Sequence, residues 1–176
     1  MNNSNKCIIP ECNIDSCLIE VLLIADKDYV NHHKGNGKVA REMQDNFKND
    51  FCIGIIDEDK EQLDYLRFFN LKKETNFLKL WKHSDLNQYI IQIRPVIEKW
   101  FLKICEENDI NLSDFNLPAD LKNLLRITKS VNSRKDDRFV KLFKEMKNKN
   151  CQPVIELKNW IEFLKANKYD SNLDLL

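Results

Sequence analysis

The feature that most constrains the fold is an uninterrupted apolar run, Phe51-Cys-Ile-Gly-Ile-Ile56. Six residues are the length of a strand, and a strand that is apolar on both faces is typical of a parallel sheet with helices on both sides. The acidic segment Asp57-Glu-Asp-Lys60 follows at once and ends the run. The sequence therefore predicts a buried parallel strand with carboxylates at its carboxyl end.

The rest of the first half alternates between strand-like and helical patterns. Apolar segments predict strands at residues 7–10, 77–81 and 89–93. Helical periodicity predicts a helix capped by Asn13 or Asp15, a second over 39–47 and a third over 61–69. Strands that alternate with helices of these lengths are typical of βαβ units. The predicted fold class is α/β, with a mostly parallel sheet flanked by helices.

The second half predicts only helices. We expect them to begin at Pro95, at Pro118, at Asp136 or Asp137, and at Pro153, because proline and aspartate are favoured at helix starts. The predicted organisation is an α/β domain over residues 1–94 and a C-terminal helical lobe over 95–176.

Composition excludes several classes of protein. The 28 basic residues equal the 28 acidic ones, so no global charge points to nucleic acid, membrane or an acidic partner. Three glycines and four prolines exclude collagen-like and many-turned all-β chains. The six cysteines come with no signal peptide and no apolar run of membrane-spanning length, so we expect a cytoplasmic protein with reduced thiols and no membrane partner.

Acidic residues follow two of the predicted strands. Glu11 follows the first strand, and Asp57 and Asp59 follow the buried one, on the same side of an extended backbone. Because parallel strands end at one edge of a sheet, these carboxylates are expected to meet there and to attract Mg²⁺ or Mn²⁺, which suits phosphodiester chemistry. The alternative is structural: each Asp caps a helix, and Glu11 is an ordinary loop residue.

Three segments resemble TOPRIM domains. Ile8-Ile-Pro-Glu-Cys-Asn-Ile-Asp15 resembles the family's first motif, a strand and a glutamate before a helix. Gly54-Ile-Ile-Asp-Glu-Asp-Lys60 resembles the second motif, a buried strand ending in D-x-D. Lys34-Gly-Asn-Gly-Lys-Val39 is similar to the glycine-lysine turn of TOPRIM nucleases of the overcoming-lysogenization-defect type. The resemblance covers residues 6–95, and Cys12 stands where the family has glycine.

The resemblance implies a function and a set of site residues. Glu11 matches the catalytic glutamate, Asp57 and Asp59 match the metal-binding pair, and Asp15 matches an additional acid that would join them on the metal. It implies a magnesium-dependent nuclease for DNA or RNA, of defence or RNA-processing type. Such a nuclease is compatible with a partner protein such as an ATPase. The alternative is a non-catalytic interaction or antitoxin-like subunit on a degenerate TOPRIM fold.

Basic residues supply candidate contacts to phosphate. Lys60 directly follows the acids and is a candidate catalytic residue, and Lys38 borders the same edge, as does Lys34. Residues 122–149 hold ten basic residues against three acidic ones, which predicts either a nucleic-acid contact or a solvated helix face. The candidates there are Lys129, Arg134, Lys135 and Arg138. Glu98, on the helix that begins at Pro95, is a candidate for a further metal ligand, but we expect it on a solvated face.

Overall fold

The structure, a computed structural model, describes residues 6–23, 29–33, 35–58, 63–169 and 172–176. The strands are β1 (Ile8–Pro10), β2 (Cys52–Asp57), β3 (Phe69–Glu74), β4 (Leu78–His83) and β5 (Gln88–Ile93). The α-helices in this part of the chain are α1 (Asn13–Leu22), α2 (Asn36–Asn46), α3 (Ile97–Glu107), α4 (Leu121–Thr128), α5 (Asp137–Asn148) and α6 (Gln152–Asn167).

The five strands form one mixed sheet in the order β1-β2-β5-β4-β3. β1, β2 and β5 run parallel, whereas β4 is antiparallel to both of its neighbours, β5 and β3. The fold is therefore α/β, and the predicted parallel arrangement is present at the β1 end of the sheet. β3 and β4 are joined by a turn of only a few residues, and a connection this short permits only antiparallel pairing.

The helix predicted over residues 61–69 is wrong for its described part. Residues Asp64–Phe68 form a short 3₁₀ helix, and β3 begins at Phe69. β3 is the edge strand of the sheet, and Asn70, Leu71 and Lys72 are exposed. An edge strand of this kind lacks the alternation of apolar and polar residues that identifies a strand in a sequence.

The apolar run does form a buried strand, as predicted. β2 lies between β1 and β5, and its residues from Cys52 to Ile56 are buried. Gly54 allows α2 to pack closely on it, since a Cβ atom there would lie 2.8 Å from the Met43 Sδ and 3.1 Å from the Val39 Cγ1.

The helices of the second half begin near their predicted starts. α3 begins at Ile97 and α4 at Leu121, two or three residues after the prolines, with Asp120 as the N-cap of α4. Asp136 caps α5 as predicted, and Pro153 lies in the first turn of α6. Buried side chains from both halves of the chain belong to one hydrophobic cluster, in which α5 packs against α1.

Two expectations from composition concern the state of the cysteines and membrane-spanning segments. All six cysteines are free thiols, and only Cys12 is not fully buried. Within the described residues, no helix combines the length and the apolar character that crossing a membrane requires.

Candidate functional site

Glu11 and Asp57 lie together at the carboxyl ends of β1 and β2. The Glu11 N–H donates to the Ile55 carbonyl at 2.9 Å, which continues the β1–β2 ladder past Pro10. The Glu11 Oε2 accepts a hydrogen bond of 3.1 Å from the Asp57 N–H. The side chain of Glu11 therefore reaches across from the end of one strand to the end of the next.

Asp57 also contacts the start of α3. Its Oδ1 accepts a hydrogen bond of 2.9 Å from the backbone N–H of Ile97, the first residue of that helix. The first amides of a helix have no partner within the helix and carry partial positive charge, so a carboxylate there is stabilising. Asp57 thus does cap a helix, but the helix is α3 rather than one that directly follows β2.

Asp15 lies in the first turn of α1, and its carboxyl group is buried. The prediction that Asn13 or Asp15 caps this helix is wrong, because the N-cap is Cys12. The Cys12 Sγ accepts from the Asp15 N–H at 3.4 Å, and the Asp15 Oδ2 accepts from the Cys12 N–H at 3.1 Å. The other oxygen, Oδ1, is buried and has no hydrogen-bond partner among the described residues.

Glu98 is a fourth carboxylate of this region, and the prediction of a solvated face is wrong. It is only 7% exposed, and its Oε1 accepts a hydrogen bond of 2.6 Å from the Thr128 hydroxyl. The sequence holds a signal for this burial, since Glu98 lies three residues before Phe101 and seven before Cys105 on the buried stripe of α3.

The surroundings of Asp57 and Asp15 disfavour the ionised form of both carboxyl groups. Burial, the charge of Asp15 and the charge of Glu11 raise the pKa of Asp57 to about 9, and Glu98 adds to the effect. Burial also raises the pKa of Asp15 to about 7, with Glu11 and Glu98 as further causes and the Cys12 bonds opposing them. Protons or a cation would therefore stabilise the Asp15 and Asp57 carboxyl groups in this environment.

The cluster is not a ready-made ligand set in the residues that the structure describes. Among them, no three or more His, Cys, Asp or Glu side chains are arranged to hold a metal ion. Two of the predicted site residues, Asp59 and Lys60, lie outside the described ranges, as does Lys34. The structure brings together Glu11, Asp15 and Asp57 and adds Glu98.

An ion-pair network lies directly beside the cluster and involves residues that sequence reasoning missed. Glu58 follows Asp57, and its carboxylate contacts the Lys79 Nζ at 2.5 Å and the Arg94 Nε at 3.2 Å. Arg94 also pairs with Glu74. Lys79 is the second residue of β4 and Arg94 follows β5, so the ends of two strands supply cations to the acid that follows Asp57.

The predicted nucleic-acid residues divide into two groups. Arg134 pairs with Glu20, and Arg138 pairs with Asp136 and donates to the Asn116 carbonyl. By contrast, Lys38, Lys129 and Lys135 are exposed. Lys129 follows Thr128, the partner of Glu98, and Lys38 lies in the first turn of α2, where the Gly35 N–H donates to the Glu11 carbonyl. Lys38 and Lys129 therefore belong to segments that contact the cluster through Gly35 and Thr128.

The two neighbouring histidines have partners outside the carboxylate cluster. The His32 Nδ1 lies 2.9 Å from the Ser16 Oγ, and burial and the charge of Arg134 lower the pKa of His32. The His33 Nε2 lies 3.6 Å from the Glu42 Oε2.

Comparison of this chain with protein-family models, with curated proteins and with solved structures finds no match in any of the three sets. The motifs and the geometry of the carboxylate cluster are therefore the features that bear on the function of the chain.

Proposed function

We propose that this chain is a magnesium-dependent nuclease of TOPRIM type that hydrolyses phosphodiester bonds in DNA or RNA, with Mn²⁺ as an alternative cation. The observation that carries the proposal is that two partly buried carboxylates, from the ends of two parallel strands, lie together. The Asp57 carboxyl has a pKa raised to about 9, and the buried Asp15 Oδ1 has no hydrogen-bond partner in the part of the chain that the structure describes. A buried polar atom without a partner costs free energy that a ligand can recover.

A hard divalent cation fits the chemistry of these donors. Mg²⁺ prefers carboxylate oxygens and keeps positions for water and phosphate oxygens. Glu11, Asp15 and Asp57 would hold it, and the motif adds Asp59. The raised pKa values of Asp15 and Asp57 fit this role, because cation binding replaces the protons that the empty cluster retains.

Each part of the chain would have a separate task in the reaction. When bound, the cation supplies activation of water and stabilisation of charge on the phosphate. Glu11 takes the catalytic role that the motif implies, and its position is held by the Asp57 N–H. Lys38, Lys129 and Lys135 are exposed and available to bind phosphates of the substrate backbone. Lys60 is the candidate for the reacting phosphate because it directly follows the acids in the sequence.

A second candidate is the non-catalytic subunit on a degenerate TOPRIM fold. One observation favours it: the described acids do not form a ready-made ligand set. In such a protein the cluster would be neutralised by protons, and Asp57 would serve only as the cap of α3. The two candidates differ in whether a cation binds at all.

The experiment tests cleavage and cation binding in parallel. The purified protein is incubated with single- and double-stranded DNA and RNA in Mg²⁺, Mn²⁺ or chelator, and Mn²⁺ binding is measured without substrate. Asp57→Asn is compared with Asp50→Asn, which changes an exposed acid before the other end of β2. We expect cleavage and Mn²⁺ binding in the wild type and in Asp50→Asn, and loss of both in Asp57→Asn. Absence of Mn²⁺ binding in the wild type would favour the non-catalytic subunit.

A further inference from the structure

α4 and the turn that follows it form a basic segment in a chain without net charge. Residues 121–135 include no acidic residue and five basic ones, which are Lys122, Arg126, Lys129, Arg134 and Lys135. Arg134 pairs with Glu20. The other four are exposed, and none of them forms an ion pair with another described residue.

Three of these cations form a stripe along α4, which we call the α4 stripe: Lys122, Arg126 and Lys129. Their spacings of four and three residues place them on one face of the helix. They follow one another at about 6 Å and about 4.5 Å along the helix axis. Leu124 and Thr128 are the buried residues of α4, so the stripe lies on the side of the helix that faces solvent.

The acids at the two ends of this segment have other partners. Asp120 is the N-cap of α4, and its carboxylate accepts hydrogen bonds from the backbone and side-chain N–H groups of Asn123. Asp136 pairs with Arg138. Lys122 also lies in the first turn of α4, where the helix dipole disfavours a cation. The stability of the helix therefore does not explain this charge.

Two hydrogen bonds connect the α4 stripe to the end of β2. The Asp57 Oδ1 accepts from the backbone N–H of Ile97 at 2.9 Å, and the next residue, Glu98, accepts from the Thr128 hydroxyl at 2.6 Å. Lys129 directly follows Thr128, and Arg126 and Lys122 come earlier in the helix. The stripe thus begins beside the contact of α4 with the start of α3 and extends away from it.

We infer that the α4 stripe binds the phosphate backbone of a nucleic acid that extends outward from the carboxyl ends of β1 and β2. The inference deepens the proposed function and rests on it for the class of substrate. Lysine and arginine contacts to phosphates hold a nucleic acid in position without reading its sequence, and they make its affinity depend on salt. The opposing interpretation is a solvated helix face, on which Arg126 and Lys129 only stabilise the carboxyl end of α4.

The test measures binding of labelled single- and double-stranded DNA and of single-stranded RNA by fluorescence anisotropy, in chelator and over a range of salt concentrations. The neutral triple variant is Lys122→Gln, Arg126→Gln and Lys129→Gln. The charge-keeping triple variant is Lys122→Arg, Arg126→Lys and Lys129→Arg.

The control triple variant removes the same charge from exposed lysines elsewhere: Lys6→Gln, Lys48→Gln and Lys72→Gln. Lys6 precedes β1 and Lys48 precedes β2, so both lie at the opposite edge of the sheet from Glu11 and Asp57. Far-UV circular dichroism and the Tm verify that each variant is folded. Cleavage in Mg²⁺ or Mn²⁺ and binding to vesicles that contain phosphatidylserine are measured beside the anisotropy.

We expect the neutral triple variant to bind more weakly and its salt slope to fall by about two to three, since each lost phosphate contact removes about 0.7–0.9 from the slope. The charge-keeping and control triple variants should bind like the wild type. Equal losses in the neutral and control variants, or wild-type binding to vesicles alone, would overturn the inference. A wild type that binds nucleic acid through the stripe but does not cleave it would overturn the proposed nuclease and leave the binding surface in place.

Discussion

Replacing Asp57 by asparagine should stabilise the cation-free protein at neutral pH. The pKa of the Asp57 carboxyl is raised from 3.8 to about 9, first by burial and then by Asp15 and Glu11. An acid with a raised pKa contributes most to stability below its ordinary pKa, and this contribution is lost as the pH rises towards the folded-state value. Asparagine is never ionised, and its side-chain oxygen can still accept from the Ile97 N–H.

The size of the effect follows from the span between the two pKa values. Between pH 3.8 and pH 7 the unfolded chain releases the Asp57 proton while the folded chain retains it, at about 1.4 kcal/mol per pH unit. This gives an upper bound of about 4 kcal/mol. Because Asp15 titrates in the same cluster and shares the repulsion, we expect Asp57→Asn to gain roughly 2–4 kcal/mol, or about 5–15 °C in Tm.

The assay is urea denaturation and thermal unfolding in chelator at pH 4 and at pH 7, with Asp50→Asn as the control. Asp57→Asn should be more stable than the wild type at pH 7 and close to it at pH 4, where the carboxyl is protonated in the folded state. The control should show no difference of this kind, because Asp50 is exposed. A gain that is equal at both pH values, or a loss of stability at pH 7, would refute the electrostatic reasoning.

Three other predictions concern the rest of the molecule. Gly54→Ala should lower the free energy of unfolding, measured in urea, by about 1–3 kcal/mol, because its Cβ would lie 2.8 Å from the Met43 Sδ. Gly37→Ala in α2 is the control, since a Cβ there meets open space and should not destabilise the fold. Equal effects of the two substitutions would contradict the packing argument. The His83 Nδ1 accepts hydrogen bonds from two backbone N–H groups, and burial lowers the pKa of His83. The neutral ring therefore contributes stability above the ordinary pKa of 6.5, and this contribution should fall as the pH drops below 6.5. An NMR titration of His83 with a midpoint at or above 6.5 would oppose this prediction. Lys129→Gln with Lys135→Gln should weaken nucleic-acid binding and reduce its salt slope by up to about two, and the same affinity as the wild type would assign these lysines to solvation.

The elements that could be predicted from the sequence are those whose signal is local. β2 could be predicted from the apolar run, because a strand that is buried on both faces has apolar residues at consecutive positions. Asp136 could be predicted as a helix cap because the group it binds, the N–H of Arg138, is only two residues away in the sequence. Glu11 and Asp57 could be placed at one edge because two parallel strands necessarily end on the same side.

The elements that could not be predicted depend on pairings between distant segments. Nothing local shows that β2 pairs with β5 and leaves the β3–β4 hairpin at the edge of the sheet. The helix expected over residues 61–69 was wrong for its described part, where a 3₁₀ helix leads into the edge strand β3. The Arg134–Glu20 ion pair could not be predicted either, because it joins two segments that are distant in the sequence, α1 and the turn before α5.

The sequence by itself determined the α/β class, the buried central strand and the acids that follow two strands, because hydrophobic periodicity and strand-end position are properties of short segments. Only the tertiary structure decided that these acids lie with Glu98 and that Thr128 holds it. β5 runs beside β2 and ends at the same edge, so α3 begins against Asp57 and carries Glu98 into the cluster. Burial of these groups in one place then raises the pKa of Asp15 and Asp57, an effect that depends on distances between segments and not on residue types alone.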